Sequence, residues 1–237
     1  MGTLLLRLVG PMQSWGIQSH FTHRDTGLEP SKSGVIGLIC AALGKPRDES
    51  HPDNVGKRSL ASLSQLRMGI RVDREGLVKK DFHTAGKGGY LQAGGDIDRK
   101  DVIVTERFYL ADAAFLVGLE ASDADLLREI NFRLRRPIWM LYLGRKAFVP
   151  SAPIWLHDGL NLELDLEDAL QGSSAYPRIA SGRNRDQRAR LLIEDPDHGS
   201  IVRPDQPVSF MHSNRQFTIR RVRMDFCVPP ANIAEAP

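Results

Sequence analysis

Apolar and polar positions along the chain follow two periods, one typical of strands and one typical of helices. Residues 3–9 form an apolar run closed by a Gly-Pro pair, which predicts a buried strand. Residues 67–74 alternate apolar and basic positions, which predicts a half-buried strand. In that strand we expect the basic side chains to face solvent for the most part, namely Arg67, Arg71 and Arg74.

Three helices are predicted between the strands. Serines before an apolar run and Gly44 after it predict a helix within residues 31–44, residues 58–66 can form a short helix, and a capping Ser-Asp pair predicts a third helix that ends near Leu134. The remaining predicted strands of this half are residues 102–109, 112–119 and 139–149. The resulting order, β-α-β, an insert, and β-α-β, is that of the ferredoxin-like unit found in RNA-recognition domains.

The insert and the C-terminal third differ in pattern from the rest. Residues 75–112 place a glycine-rich, basic tip between two extended arms, which predicts a projecting hairpin. From residue 150 onward, prolines and charges alternate with short predicted strands. The predicted fold class is therefore α+β: a ferredoxin-like, RRM-like domain over residues 1–150 with a protruding β-hairpin thumb, and a small, mainly β domain over residues 151–237.

Composition narrows the class of protein. The chain has 237 residues, of which 41% are hydrophobic and 26% charged, as in ordinary globular proteins. Its longest apolar runs are about half the roughly 20 residues that a membrane span needs, and no signal peptide is predicted. Only Cys40 and Cys227 occur, which favours a reducing compartment, so we expect a cytoplasmic protein without a membrane partner.

Arginine dominates the positive charge. The net charge is +3, and 24 of the 32 basic residues are arginine. Guanidinium groups grip phosphates and stack on bases, so this bias is typical of nucleic-acid partners. A GC-rich genome would produce the same bias.

Two features near the N-terminus suggest contacts with a nucleic acid. Trp15, in a long polar loop over residues 10–30, would stack on a base or plug the core against the second domain. Arg24 together with the helix start Ser31-Lys32-Ser33 would hold a phosphate, or the serines would only cap the helix.

Other candidates lie in the insert and the basic turns. His83 beside Lys87 would act as a general base on RNA, or would be a polar strand residue of the hairpin. The sequence lacks Walker, dinucleotide, zinc-protease and nucleophile-elbow motifs, so we expect neither cofactor nor metal. Further arginines cluster at two places, each predicted to touch an acidic partner or to be solvated: Arg133, Arg135 and Arg136 with Arg145-Lys146, and Arg183, Arg185, Arg188 and Arg190.

Several of these motifs together resemble the CasD family of subunits of the type I-E CRISPR complex Cascade. The likeness runs through at least residues 4–146, and the C-terminal third is weakly marked. The segments that carry it are Gly10-Pro11-Met12-Gln13-Ser14-Trp15-Gly16, Arg24-Asp25-Thr26-Gly27, Pro30-Ser31-Lys32-Ser33-Gly34, Asp81-Phe82-His83-Thr84, Thr105-Glu106-Arg107-Phe108-Tyr109 and Leu143-Gly144-Arg145-Lys146.

The resemblance implies a function. Members of this family are non-catalytic: they cap the 5′ handle of the crRNA, pack a thumb on the backbone subunit CasC, and help to seat the large subunit CasA, beside target DNA in the assembled complex. By motif position, the expected RNA contacts are Gln13, Ser14, Trp15, Arg24, Ser31, Lys32, Ser33, His83, Arg107, Arg145 and Lys146.

Two other functions stay open at the level of sequence. Relatives in type I-C systems cleave the repeat RNA with Tyr, Lys and His residues, and His83, Lys87 and Tyr90 could mimic that set. A protein scaffold without RNA contacts is the third interpretation, and it predicts that the arginine-rich loops are dispensable for RNA retention.

Overall fold

The computed structural model describes residues 1–18, 22–86, 88–91, 95–99, 102–173 and 188–230. Within these ranges, no helix is long and apolar enough to cross a membrane. The strands are β1 (Gly2–Val9), β2 (Met12–Gln13), β3 (His23–Arg24), β4 (Arg67–Arg74), β5 (Leu77–Ala85), β6 (Tyr90–Leu91), β7 (Ile97–Asp98), β8 (Ile103–Ala111), β9 (Ala114–Ala121), β10 (Trp155–Asn161), β11 (Ala189–Glu194), β12 (Ile201–Ser209) and β13 (Gln216–Cys227). The α-helices are α1 (Lys32–Ala42), α2 (Leu60–Ser64), α3 (Ala124–Arg135) and α4 (Leu166–Gly172).

A seven-stranded antiparallel sheet forms the body, in the order β10-β1-β9-β4-β11-β13-β12. Its first four strands, with α1 and α3, have the order expected of a ferredoxin-like unit. The predicted α+β fold class is thus confirmed. The last strand of the unit is β10, whereas residues 139–149, predicted as that strand, are irregular. This segment buries Leu143 and Phe148 from a tight turn, so these two positions reach the core without a strand partner, while Trp139, Met140 and Val149 stay exposed.

Helices cover both faces of the sheet. Leu4, Leu6 and Leu8 of β1 point into the core that contains α1 and α3. The alternate residue Leu5 points to the other face, where α4 packs. Gly69 and Gly118 lie opposite each other there, and a Cβ on either would lie within 2.7 Å of an α4 leucine. The glycine pair therefore lets α4 approach the sheet closely.

Burial by α4 corrects one expectation about β4. Met68, Ile70 and Val72 point inward as predicted, but Arg71 is fully buried instead of facing solvent. Its guanidinium donates to Asp73 at 2.7 Å and to the carbonyl of Ser173 at 2.6 Å. Because α4 comes from residues far along the chain, the local alternation could not reveal that the second face of β4 is covered.

The C-terminal strands extend the same sheet. β11 pairs with β4, and β13 continues from β11 to the edge strand β12. The predicted division at residue 150 therefore does not separate two sheets. Pro204 and Pro207 lie in β12, where their missing N–H groups weaken the edge as a template for further strands.

The predicted thumb is a hairpin of β5 and β8. The two strands pair in register from Leu77↔Ala111 to Ala85↔Ile103. The short strands β6 and β7 pair with each other near its tip. At its base, β2 and β3 pair with β8 and so attach the loop of residues 10–30 to the thumb.

Candidate nucleic-acid interface

A cavity of about 370 Å³ opens at the base of the thumb. Three arginines from three separate segments converge on it. We call it the basic cavity, and its lining residues are Ser14, Gly16, Arg24, Asp25, Arg107, Gly144 and Arg145.

Strand pairing brings two of these arginines together. β3 runs parallel to β8 with Arg24 opposite Arg107, and β5 places Asp81 opposite Arg107 on the other side. Side chains at paired positions project to the same face of a sheet. Arg24 and Arg107 therefore point to one face of the thumb base, although 83 residues separate them in the chain.

The third arginine is held by the backbone of the same strands. The guanidinium of Arg145 donates to the carbonyl of Phe108 at 2.8 Å and to that of Arg24 at 3.3 Å. It also lies over the Phe148 ring, 5.5 Å from the centroid. Partial burial lowers the pKa of Arg145, the neighbouring cations Arg107 and Arg24 lower it further, and the nearby carboxylates oppose this shift.

A glycine permits this arrangement. Gly144 has a φ of +89°, and a Cβ there would lie 1.8 Å from the carbonyl oxygen of Ser14. The backbone N–H of Ser14 donates to the carbonyl of Leu143 at 3.1 Å. Only glycine fits this contact, so Gly144 is what lets the turn bring Arg145 against Ser14.

The arginines of the basic cavity are not held in ion pairs within the described part of the chain. None of Arg24, Arg107 and Arg145 forms an ion pair with a carboxylate among the described residues. Asp25, the one acidic residue of the lining, accepts from the backbone N–H of Gln18 at 3.0 Å. Three guanidinium groups around one opening favour a bound anion, and planar guanidinium suits phosphate oxygens.

The predicted contacts His83 and Lys146 extend this surface. His83 pairs with Thr105, two positions from the Asp81–Arg107 pair, so it lies on the same face of the thumb as Arg107. Thr105 links them, since its hydroxyl donates to the carbonyl of His83 and accepts from Nε of Arg107, both at 3.1 Å. Lys146 is exposed beside Arg145. Ser14 lines the cavity and donates to the carbonyl of Phe108 at 3.3 Å.

Gln13 and Trp15, by contrast, are core residues. Trp15 is 2% exposed, and its indole N–H donates to Gln13, itself fully buried, at 3.1 Å. A Cβ on Gly34 would lie 2.9 Å from the Trp15 ring, so the ring packs directly on α1. In this structure neither face of the indole can take a base. The structure favours the core-plug interpretation of Trp15 over base stacking.

The start of α1 is occupied by the protein's own charges. Ser31 caps the helix through the N–H of Gly34 at 3.2 Å. The backbone N–H of Lys32 donates to Asp205 at 2.8 Å, and the Lys32 ammonium contacts Glu194 at 2.9 Å. A phosphate at this position would meet a carboxylate, so the predicted phosphate site at Ser31-Lys32-Ser33 is corrected. Ser33 is half-buried and faces a different groove.

Three lining residues, Gly16, Asp25 and Gly144, were not expected as site residues. All three belong to segments that carry the family resemblance, but none has a side chain that contacts RNA in an obvious way. For Gly144 the available signal is a glycine directly before Arg145-Lys146 in a predicted turn. A turn glycine that precedes a basic pair can be required for its backbone conformation.

Comparison with known proteins defines the class. The family model described as CRISPR-associated protein (Cas_Cas5) matches residues 3–223. The "CRISPR system Cascade subunit CasD" of Escherichia coli (strain K12) is 33% identical over 162 residues, which cover 65% of this chain and 69% of that protein.

Solved structures agree with this match. A chain of a "CRISPR RNA-guided surveillance complex" is 34% identical, with a TM-score of 0.73 over 99% of this chain and 94% of that one. A "Crystal structure of Cas protein" is 40% identical, with a TM-score of 0.70 over 96% and 95% of the two chains. The molecule is thus a CRISPR-associated protein with an RRM-like sheet and a thumb. It belongs to the Cas5 family.

Proposed function

We propose that this chain is a non-catalytic subunit of a CRISPR surveillance complex that binds and caps the 5′ handle of the crRNA. The main support is that Arg24, Arg107 and Arg145 converge on one cavity. None of the three forms an ion pair with a carboxylate among the described residues. The similarity to a Cascade subunit and to a chain of an RNA-guided surveillance complex supports the same role.

In this proposal the RNA backbone crosses the basic cavity and follows the thumb face that carries His83. Arg24, Arg107, Arg145 and Lys146 supply charge, and Ser14 and the Gly144 turn shape the opening. Sequence-specific readers of RNA usually take single-stranded, splayed nucleotides, and a repeat-derived handle is such a target.

The opposite face of the thumb fits a protein partner. Val78, Phe82 and Val104 share that face and are each more than half exposed. The pair Lys80–Glu106, at 2.9 Å, lies among them. Exposed apolar side chains rimmed by charges are typical of an interaction surface. We assign this face to the CasC-type backbone subunit, and we keep the CasA-type large subunit and target DNA as further partners in the assembly.

The proposal assigns no RNA cleavage to this chain. His83 is exposed on the thumb, and its described neighbours on that face include Thr105, the Asp81–Arg107 pair and Ile103. Of the alternative catalytic set, Lys87 and the side chain of Tyr90 lie outside the described residues.

RNA retention in the reconstituted complex tests the proposal. We expect Arg107→Gln and Arg24→Gln to release labelled crRNA about tenfold faster than the unaltered complex does. Arg128→Gln, on the exposed side of α3, is the matched control and should have no effect. Equal retention by all variants would contradict the proposal and favour the scaffold interpretation.

A denaturing gel of the same samples tests catalysis separately. The repeat-derived RNA should stay intact with the unaltered chain and with His83→Ala. Specific cleavage that disappears with His83→Ala would instead make this chain a processing endoribonuclease.

A further inference from the structure

A second groove, of about 260 Å³, lies beside the basic cavity. It is bounded by the exposed side of α1, the loop that follows α1, and the irregular segment after α3. We call it the Trp139 groove. The residues that characterise it are Gly37, Arg47, Trp139, Met140, Phe210 and Arg215.

The wall of this groove is fixed to the end of α1. The backbone N–H groups of Ile138 and Trp139 donate to the carbonyls of Ala42 and Ala41, at 3.0 and 3.1 Å. These carbonyls belong to the last turn of the helix, which has no partners for them within the helix. Trp139 is therefore held in place, although its side chain is 46% exposed.

The groove leaves apolar surface open. Met140 is 71% exposed, and an added Cβ at Gly37 would meet no atom within 4 Å. An indole, a thioether and a bare stretch of helix thus face one gap. Its volume is below the 300–1,000 Å³ that is usual for drug-sized ligands, so it suits one flat group.

Two guanidinium groups stand at this gap. Arg47 and Arg215 form no ion pair with a carboxylate of the described ranges, whereas Lys45 beside them pairs with Glu49 at 3.0 Å. Burial lowers the pKa of Arg215, and so does the proximity of Arg47. The groove therefore combines an apolar slot with an unneutralised pair of cations, which fits a flat ligand that carries a negative charge.

The Trp139 groove adjoins the basic cavity, because Gly144 lines both. A strand that leaves the basic cavity past Gly144 therefore reaches the edge of the groove.

We infer that the Trp139 groove holds one unstacked nucleotide of the crRNA strand, with its base on Trp139 and Met140 and its phosphate at Arg47 and Arg215. This inference rests on the proposed function, because the same strand must cross the basic cavity. A base with its phosphate matches both halves of the groove. A peptide with apolar and acidic side chains has similar chemistry and is treated as an outcome of the test.

The test combines abasic RNA with a groove variant in the reconstituted complex. A series of crRNAs, each with one abasic handle nucleotide, is assembled with the unaltered chain or with Trp139→Ala, and the rate of RNA release is measured. Phe132→Ala is the matched control, since Phe132 of α3 is 53% exposed and its ring is contacted by the guanidinium groups of Arg133 and Arg136.

We expect a single abasic position to speed release by about 5- to 150-fold, the range that corresponds to stacking of one base. With intact RNA, Trp139→Ala should speed release by a similar factor. With the crRNA that is abasic at the sensitive position, the same substitution should add little further. Fully additive increases in the release rate at every abasic position, or no increase from Trp139→Ala, would overturn the inference. Loss of a protein subunit with unchanged RNA release would also overturn it and assign the groove to a peptide.

The same series separates the two proposals. If Arg107→Gln speeds release and Trp139→Ala does not, the basic cavity stands and the groove inference fails. If neither variant changes release, the proposed function itself fails.

Discussion

The basic cavity and the start of α1 contain the same kinds of residue but use them differently. At the start of α1, the ammonium of Lys32 meets Glu194 and the guanidinium of Arg220 meets Asp205 at 2.7 Å. In the basic cavity, no carboxylate among the described residues pairs with the three arginines. A cation cluster is thus a site for an external anion only where the fold does not supply the counter-charge.

This difference separates the predicted RNA contacts that stay candidates from those at the start of α1, which the protein's own carboxylates occupy. Glu194 and Asp205 lie in β11 and β12, more than 160 residues after Lys32. They reach α1 only because the C-terminal strands extend the same sheet. Buried charges of this kind are paired and hydrogen-bonded because an unpaired charge is costly to bury.

We expect the largest effect when the counter-charge at the start of α1 is removed. Asp205→Ala leaves the N–H of Lys32 without its partner and leaves Arg220 with only the longer contact to Glu194, at 3.7 Å, so we expect a loss of about 3–5 kcal/mol in the free energy of unfolding. Urea denaturation measures it. Asp125→Ala, at an 82% exposed carboxylate, is the control and should leave the midpoint unchanged. An Asp205→Ala variant as stable as the unaltered protein would contradict the role of this counter-charge at α1.

Gly144→Ala tests whether backbone geometry builds the basic cavity. The added Cβ collides with the Ser14 carbonyl and requires a strained φ, so the turn must move and carry Arg145 away. We expect a stability loss of about 1–3 kcal/mol together with a loss of RNA retention like that of Arg107→Gln.

The control for this glycine is Gly172→Ala, where an added Cβ meets no atom within 4 Å. Thermal unfolding and RNA release should both match the unaltered protein. A Gly144→Ala variant that retains RNA normally would show that the position of Arg145 is not needed.

The salt dependence of RNA binding sharpens the assignment of the arginines. Each phosphate contact that is lost reduces the slope of log K against log salt by about 0.7 for single strands. Arg24→Gln and Arg107→Gln should each lower the slope by about this amount, and Arg128→Gln should not. An unchanged slope in the first two variants would indicate that these arginines do not meet phosphates.

The smallest expected effect concerns the buried thiol of Cys40. Burial raises its pKa from the usual 9.0 to about 12. Above pH 9 the unfolded chain releases this proton while the folded chain keeps it, so stability falls as the pH rises. Near pH 10 the contribution is about 1 kcal/mol. Cys40→Ala should flatten this part of the curve, and an identical pH dependence in both proteins would contradict the assigned burial.

The local sequence pattern predicted most of the core but not the helix that covers the other face of the sheet. The alternation in β4 placed Met68, Ile70 and Val72 correctly because they face the main core. It misplaced Arg71 because α4, far along the chain, covers the other face. Residues 139–149 have the composition of a strand, yet they form a turn that places Leu143 and Phe148 in the core and leaves Trp139 and Met140 exposed.

The candidate site was predictable only where the family resemblance and the fold coincide. Arg24, Arg107 and Arg145 carry motifs and also remain accessible. Trp15 carries an equally specific motif, but its glycine neighbour on α1 allows it to pack inside. Motif position identifies residues that matter, and packing decides whether they contact a ligand or hold the fold.

Cross-linking of the bound RNA tests the central claim most directly. A crRNA with photoreactive uridines in its handle is irradiated in the reconstituted complex, and the cross-linked peptides are identified by mass spectrometry. The account predicts cross-links to the peptides that contain Arg24, Arg107 and Arg145. Cross-links confined to the peptide of Ser31, Lys32 and Ser33 would contradict it.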